Sequence, residues 1–368
     1  MPGKLQLAFA AWGDPSLPST WSGTSANLGQ AMKELGVEII NLNCRPSNPR
    51  VAVEHGLHRL GGYDIRFTRH RVGRRTCVRL AKTLPPDCAG IVHMSSVTIP
   101  PPGSTPGVRH FLLCDSMDDY WQNFSKDEQA LSARQKARRE VDEREAVAGT
   151  DLFFPTARHV ADSLHDYYGV PSDKITVVGT GRGKIKALAG TKDYTDKHIL
   201  MVAKLRFKDK GGVLLLQALQ LVRKAGHDVR LTLVSPDEFR QYVTSDLSDG
   251  VTVTGTVPWD ELQHLFDTAP LYVMPAPCEP WGLVYVEAMA TKTPILGLNR
   301  GALPELTNGG AAGFLVDEAT PEAVAAGIID ALSDPARLAR MGEIGQEYAQ
   351  SQFSWERTAK LIKDKVFA

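Results

Sequence analysis

Glu279 and Glu287 stand eight positions apart in "PAPCEPWGLVYVEAMA", Pro275 to Ala290, the first in a proline-bounded, loop-like context and the second inside an apolar run. A chain that turns at Pro280 and becomes helical from about Trp281 leaves the amides of Trp281, Gly282 and Leu283 without intrahelical acceptors, and such a helix start favours an anion or a sugar oxygen. Gly282 lets the backbone approach closely. At about 1.5 Å of rise per residue, the two carboxylates fall roughly 10 to 12 Å apart along that element. That is about the reach from a hexose ring across a diphosphate to a ribose.

The elements that position them are short apolar runs alternating with helical patterns, which predict parallel sheets covered by helices. Leu5 to Trp12 reads as a strand, "SANLGQAMKELG" as a helix closed by Gly36, and "VEIINL" as the next strand. Strands are also expected at "AGIVHM", "RHFLLC", "DLFFP" and "KITVVG". The series restarts with "HILMVAKL", then "DVRLTLVS", "GVTVTGTV", "PLYVMP" and "PILGL", and ends in helices, the last with Ser354 as N-cap. A boundary in the glycine- and charge-rich "GTGRGKIKALAGTKDYTD" divides the chain into domains at 1–184 and 185–350, with a final helix at 351–368.

A length of 368 residues suits two such domains better than one core. Lysine plus arginine equal aspartate plus glutamate at 42 each, so no global field points to nucleic acid and a charged partner must be met by a local patch. The 5 cysteines are scattered without a C-x-x-C pair, which suits reduced thiols. With no basic leader ahead of "LQLAFAAW" and no membrane-length apolar run, the expectation is a soluble cytoplasmic protein. The first strand leads into "GDPSLPSTWSGTSANLG", not G-x-G-x-x-G, and no Walker lysine motif is present, which excludes the simplest dinucleotide and P-loop readings.

"EPWGLVYVEAMA" resembles the E-P-F-G-L-x-x-x-E-A-M-A signature of family four of the retaining glycosyltransferases. The resemblance continues through "HILMVAKLRFKDKGGVLLLQAL", "VTVTGTVPWDELQHLFDTA", "GALPELTNGGAAGFLVD" and "FSWERTA", covering nearly the whole chain. It implies an α/β GT-B fold: two Rossmann-like domains facing each other across a cleft, with the C-terminal helix returning to the N-terminal, acceptor-binding domain.

Carried over residue by residue, the resemblance gives Glu279 a hydroxyl of the donor sugar, Pro280 to Leu283 the sugar and phosphate, and Glu287 the ribose hydroxyls. Lys204 and Lys210 match the cations that grip the diphosphate. Fixed cations there stabilise the charge that builds as the sugar–phosphate bond breaks, so no metal and no other cofactor is expected. Gly23 matches a glycine loop close to the donor diphosphate, and the base is expected near Gly255 and Val257. The implied reaction is front-face, retaining transfer of a hexose-type sugar from a UDP- or GDP-sugar to a hydroxyl of a glycan, lipid-linked or small-molecule acceptor. A nucleotide-sugar epimerase, a phosphorylase, or a silent sugar-nucleotide binding protein is the alternative.

Several positions depart from the pattern. Lys204 replaces an arginine and loses its bidentate fork. "VHMSS" puts His93 and Ser95 on the acceptor side where many members have H-x-H, Lys292 replaces a glycine, and "SPDE" replaces G-D-G-P. In "RFTRHRVGRRTCVRLAK", Arg71, Arg75 and Arg79 share one helical face. That face fits an acidic acceptor or weak, peripheral association with the inner membrane surface.

Overall fold

The computed structural model describes residues 5–204 and 206–368; the segment ahead of Leu5, where a leader was sought, lies outside the described residues. The chain forms two compact units, Met1–Gly181 with Trp355–Ala368, and Arg182–Ser354.

The first unit runs β1 (Leu5–Ala11), α1 (Thr24–Glu34), β2 (Val37–Asn43), α2 (Asn48–Leu60), α3 (Ile65–Ala81), β3 (Cys88–His93), β4 (His110–Cys114), α4 (Asp118–Phe124), α5 (Lys126–Gln129), α6 (Ala133–Ala148), β5 (Leu152–Pro155) and α7 (Arg158–Asp162). Its strands form a parallel sheet in the order β2-β1-β3-β4-β5. Strands covered on both faces read as continuous apolar runs, as in Leu7 to Ala11, all buried. Local signals set the helix starts: Asp64 caps α3 through Phe67 N–H, and Ser132 with Gln135 forms a capping box on α6.

The second unit contains β6 (His198–Val202), α8 (Gly212–Lys224), β7 (Arg230–Val234), β8 (Val251–Val253), α9 (Trp259–Thr268), β9 (Leu271–Val273), α10 (Leu283–Ala290), β10 (Ile295–Leu298), α11 (Leu303–Leu306), β11 (Gly313–Val316), α12 (Pro321–Ser333) and α13 (Pro335–Gln352). The sheet order is β11-β10-β9-β6-β7-β8, again parallel. Thr320 and Asp334 cap α12 and α13, each with proline in the first turn.

The last helix, α14 (Trp355–Val366), belongs to the first unit. Ala359, Ile362 and Val366 are buried at helical spacing and join Leu28 and Met32 of α1 in one core cluster. Polar ties fix its pose: Thr358 Oγ1 donates to Val178 O at 3.2 Å and Lys363 Nζ to Leu35 O at 2.8 Å.

Two expectations about elements change. "KITVVG" is not a regular strand: it runs beside β5, with Thr176 N–H and Val178 N–H donating to Phe153 O and Pro155 O, yet forms only the bridge Phe153 to Ile175. The helix after Glu279 starts at Leu283 and not near Trp281, because Gly282 sits in the left-handed region at φ +79° as its N-cap.

Candidate functional site

In a parallel sheet the loops leaving the carboxyl ends of adjacent strands meet. β6 and β9 are neighbours, so the loop after Val202, carrying Lys204 and Lys210, lies beside the loop after Val273, carrying Glu279. Backbone stitches them together, Cys278 N–H donating to Asp209 O at 3.3 Å. Gly211, at φ +80°, caps α8 where a side chain would overlap Pro275 O. Across this seam Lys210 Nζ lies 3.4 Å from Glu279 Oε2, both side chains mostly covered.

Glu287 enters the same cluster from the first turns of α10. It is half-buried, and desolvation pushes its carboxyl up to about 7 against the opposing pull of Lys204, Lys210 and the Ile185 N–H. Gly183 makes room for it, since a Cβ there would overlap Glu287 Oε1. The sequence reading took Gly183 only for part of the domain boundary, although a glycine in a lysine-rich segment with no strand or helix period was the available signal. Lys204 is exposed and holds its ammonium 4.7 Å from the centre of the Trp259 ring, with Lys184 at 5.1 Å from the same ring. Trp259, 45% exposed at the start of α9, was also missed.

The helix start differs from expectation in detail. Trp281 is buried with its ring edge-on to Phe353 at 5.6 Å, so its side chain belongs to the core. Gly282 is required twice over: its φ is left-handed, and a Cβ would meet the Tyr285 ring at 2.6 Å. Tyr285 in turn donates to Met274 O at 2.8 Å, fixing α10 on β9. The helical rise separating the two glutamates therefore covers only residues 283–287, and the estimate of 10 to 12 Å along one helix does not hold. Pro280 is buried and its carbonyl accepts from Ala302 N–H at 3.1 Å. Gly255, buried at φ +75°, and half-buried Val257 follow the end of β8 in the same sheet.

The first unit holds the remaining predicted residues. Gly23, at φ +83°, caps α1 after Trp21 and Ser22 at +45° and +55°, so three successive residues lie in the left-handed region, a local strain of the kind that clusters at functional loops. On the acceptor side, His93 is enclosed. It is fully buried, its Nδ1 is 2.9 Å from Thr98 Oγ1, and its Nε2 is 2.9 Å from His110 Nδ1. Burial holds it well below the usual histidine range, and both ring nitrogens have partners within the first unit. Ser95 is half-buried, its carbonyl accepting from Thr98 Oγ1.

Near the same end of β4, fully buried Asp118 pairs with Arg66 at 2.5 Å, and buried Glu143 accepts from Ser96 Oγ at 2.8 Å, a network that no local sequence pattern announced. Arg71, Arg75 and Arg79 are exposed on α3 as expected. Among the described residues no group of three or more His, Cys, Asp or Glu side chains could hold a metal ion, and no helix is long and apolar enough to cross a membrane.

The family model for glycosyl transferases group 1 matches residues 187–348, the segment that carries this cluster. The chain is 30% identical over 243 residues to a D-inositol 3-phosphate glycosyltransferase of Paenarthrobacter aurescens (strain TC1), covering 61% of this chain and 59% of that one. It is 28% identical over 208 residues to a GDP-mannose-dependent alpha-(1-6)-phosphatidylinositol monomannoside mannosyltransferase of Mycolicibacterium smegmatis, covering 53% and 54%. The match thus spans little more than half the length of these relatives. In structure it is similar to sucrose-phosphate synthase from Thermosynechococcus elongatus, with a TM-score of 0.75 at 17% identity over 99% of this chain and 98% of that one. Residues 187–348 thus match the glycosyl transferases group 1 family, and the chain shares the two-unit α/β fold of that synthase structure.

Proposed function

We propose that the protein is a retaining glycosyltransferase that moves a hexose-type sugar from a UDP- or GDP-sugar to an acceptor hydroxyl without a metal. The observation that carries this reading is the convergence of Lys204, Lys210, Glu279 and Glu287 at the carboxyl ends of neighbouring strands. Lys210 and Lys204 neutralise the diphosphate as it leaves. Glu279, steadied by Lys210, accepts from a sugar hydroxyl, the amides at 281–283 donate to sugar and phosphate oxygens, and Glu287 accepts from the ribose. Gly255 and Val257 hold the base through backbone groups.

In the transfer step the bond from the anomeric carbon to phosphate oxygen breaks. The acceptor oxygen bonds that carbon on the same face, and its proton passes to the leaving diphosphate. No protein carboxylate need act as base, which agrees with the engagement of Glu279 by a lysine.

For the acceptor we propose a polyol hydroxyl of the cyclitol type, free or lipid-linked; both relatives above bear inositol-containing names. Peripheral contact with an anionic membrane face through Arg71, Arg75 and Arg79 belongs to the lipid-linked form of this reading. It draws support from α2, which packs on α3 and exposes Val53, Leu57 and Leu60 at helical spacing.

A panel of nucleotide sugars, followed by nucleotide release with and without inositol, inositol phosphate and phosphatidylinositol, tests the proposal. Acceptor-dependent release with retained anomeric configuration is the expected result. Absence of binding or turnover with every donor overturns it, and isomerised donor without release would move the protein to the epimerase class.

A further inference from the structure

β3 and β4 pair in parallel, and such a pair ordinarily needs a crossover helix on the sheet face. Here residues 94–109 make the crossing with a single short turn at Ser96–Thr98, so the layer between α3 and α6 is left incomplete. The gap is a cavity of about 400 Å³ within the first unit, lined by Arg71, Arg74, Arg75 and Arg138, with Asp142 and Glu145 alongside. Val78 and Pro101 add an apolar wall.

Two of the arginines are already spoken for. Arg74, only 5% exposed, donates to Glu145 Oε2 at 2.6 Å and to the Asp142 carbonyl, and Arg138 pairs with Asp142 at 2.9 Å while lying over the Phe67 ring. Even so, Arg74 Nε and Arg138 Nε are buried without a hydrogen-bond partner. Buried donors are rarely left so, and each calls for an acceptor. Arg71 and Arg75, one turn apart, form no ion pair among the described residues. Four guanidinium groups against two carboxylates leave an excess of two positive charges around the cavity.

We infer that this cavity is a binding site for a phosphate monoester, a dianion with three acceptor oxygens whose charge matches that excess and whose geometry suits guanidinium forks. The apolar wall accommodates a small organic body on the ester oxygen. The site is separate from the transfer chemistry and does not rest on the transferase reading. Arg74, Arg75 and Val78 lie in the second half of α3, and Asp142 and Glu145 in the second half of α6, so they approach the amino ends of β3 and β5. Ligands of the open sheet itself bind beyond the carboxyl ends. Occupancy would cross-brace α3 and α6, and the ester comes either from a soluble metabolite or from a lipid headgroup.

The test is calorimetric titration of the full chain with inorganic phosphate and with glycerol phosphate, with a nucleoside diphosphate present to fill the donor site. In parallel, sedimentation is measured with vesicles containing phosphatidic acid and with phosphatidylglycerol vesicles of equal charge. Saturable one-to-one binding of the soluble esters, weakened at least tenfold in Arg71→Gln and in Arg75→Gln with unchanged melting temperature, supports a soluble source. Binding only to phosphatidic acid vesicles, lost in the same variants, supports a lipid source. The inference is overturned by binding to neither, by binding intact in the double variant, by competition with the nucleotide, or by equal attachment to phosphatidylglycerol, which would mark a diffuse basic surface.

Discussion

Lys210 Nζ lies 3.4 Å from Glu279 Oε2 across two loops that leave neighbouring strands and share a backbone hydrogen bond. The ion pair fixes the lysine, which the proposed reaction sets against the diphosphate, and leaves the carboxylate oriented rather than free. Lys210→Ala is expected to lower kcat by roughly 10²- to 10³-fold, the scale of losing one transition-state charge contact. Its melting temperature should stay within about 2 °C of the parent, because a partly open ion pair adds little stability. Steady-state rates with a thermal melt check this, and a near-normal kcat would remove Lys210 from the reaction.

The carboxyl of Glu287 has a definite pH signature. Its proton is held up to about 7 in the folded protein against an ordinary 4.5. Below the lower value both folded and unfolded states are protonated and nothing is lost. Between the two, the unfolded chain ionises while the folded one resists, so the group's favourable contribution falls away as pH rises and is gone above about 7. Glu287→Gln should therefore gain stability relative to the parent from pH 5 to pH 8, by at most about 3 kcal/mol and by less if solvent reaches the group. Denaturant melts at the two pH values measure the difference, and parallel curves would refute the raised value.

Gly183→Ala inserts a methyl group where Glu287 Oε1 now sits. The carboxylate is the mobile partner, so the expected outcome is a KM for the nucleotide sugar raised roughly tenfold, about 1.4 kcal/mol, with kcat much less affected. Titration calorimetry with the nucleoside diphosphate separates binding from turnover here.

If two lysines carry the leaving-group charge, a chelator changes nothing. Activity in excess EDTA is expected to stay within about twofold of the untreated enzyme, since a bound metal ordinarily supplies several kcal/mol of that stabilisation. Strict restoration by magnesium would contradict the arrangement.

Much of the fold was legible because buried parallel strands are written as continuous apolar runs, and β1, β4, β6 and β10 fall where those runs do. "KITVVG" misled for a physical reason: the run is apolar and alternating, but it lies past the edge strand and gains only one true bridge. The donor-side candidates come from a local motif, and the structure brings two of them, Lys210 and Glu279, into an ion pair. The enclosure of His93 was not legible, since its partners are Thr98 in the next turn and His110 on the adjacent strand, and pairing across strands is invisible to local spacing. Lys292, where the resembled family has glycine, shows why glycine is usual there: its φ is +58°, and it closes the turn after α10 with a bond to Met289 O. The apolar face of α2 also escaped notice, because it faces outward and leaves no core pattern.

The last helix has a consequence for biosynthesis. The apolar faces of Leu28 and Met32 on α1 meet Ala359, Ile362 and Val366, which are synthesised only after the whole second unit. The second unit, a continuous insert at Arg182–Ser354, is synthesised in full before the first can close, so that groove stays open until α14 has been made. A chain stalled ahead of α14 would thus display its sticky surface on α1, and quality control acting on such products would recognise the first unit even though the missing residues lie beyond the second.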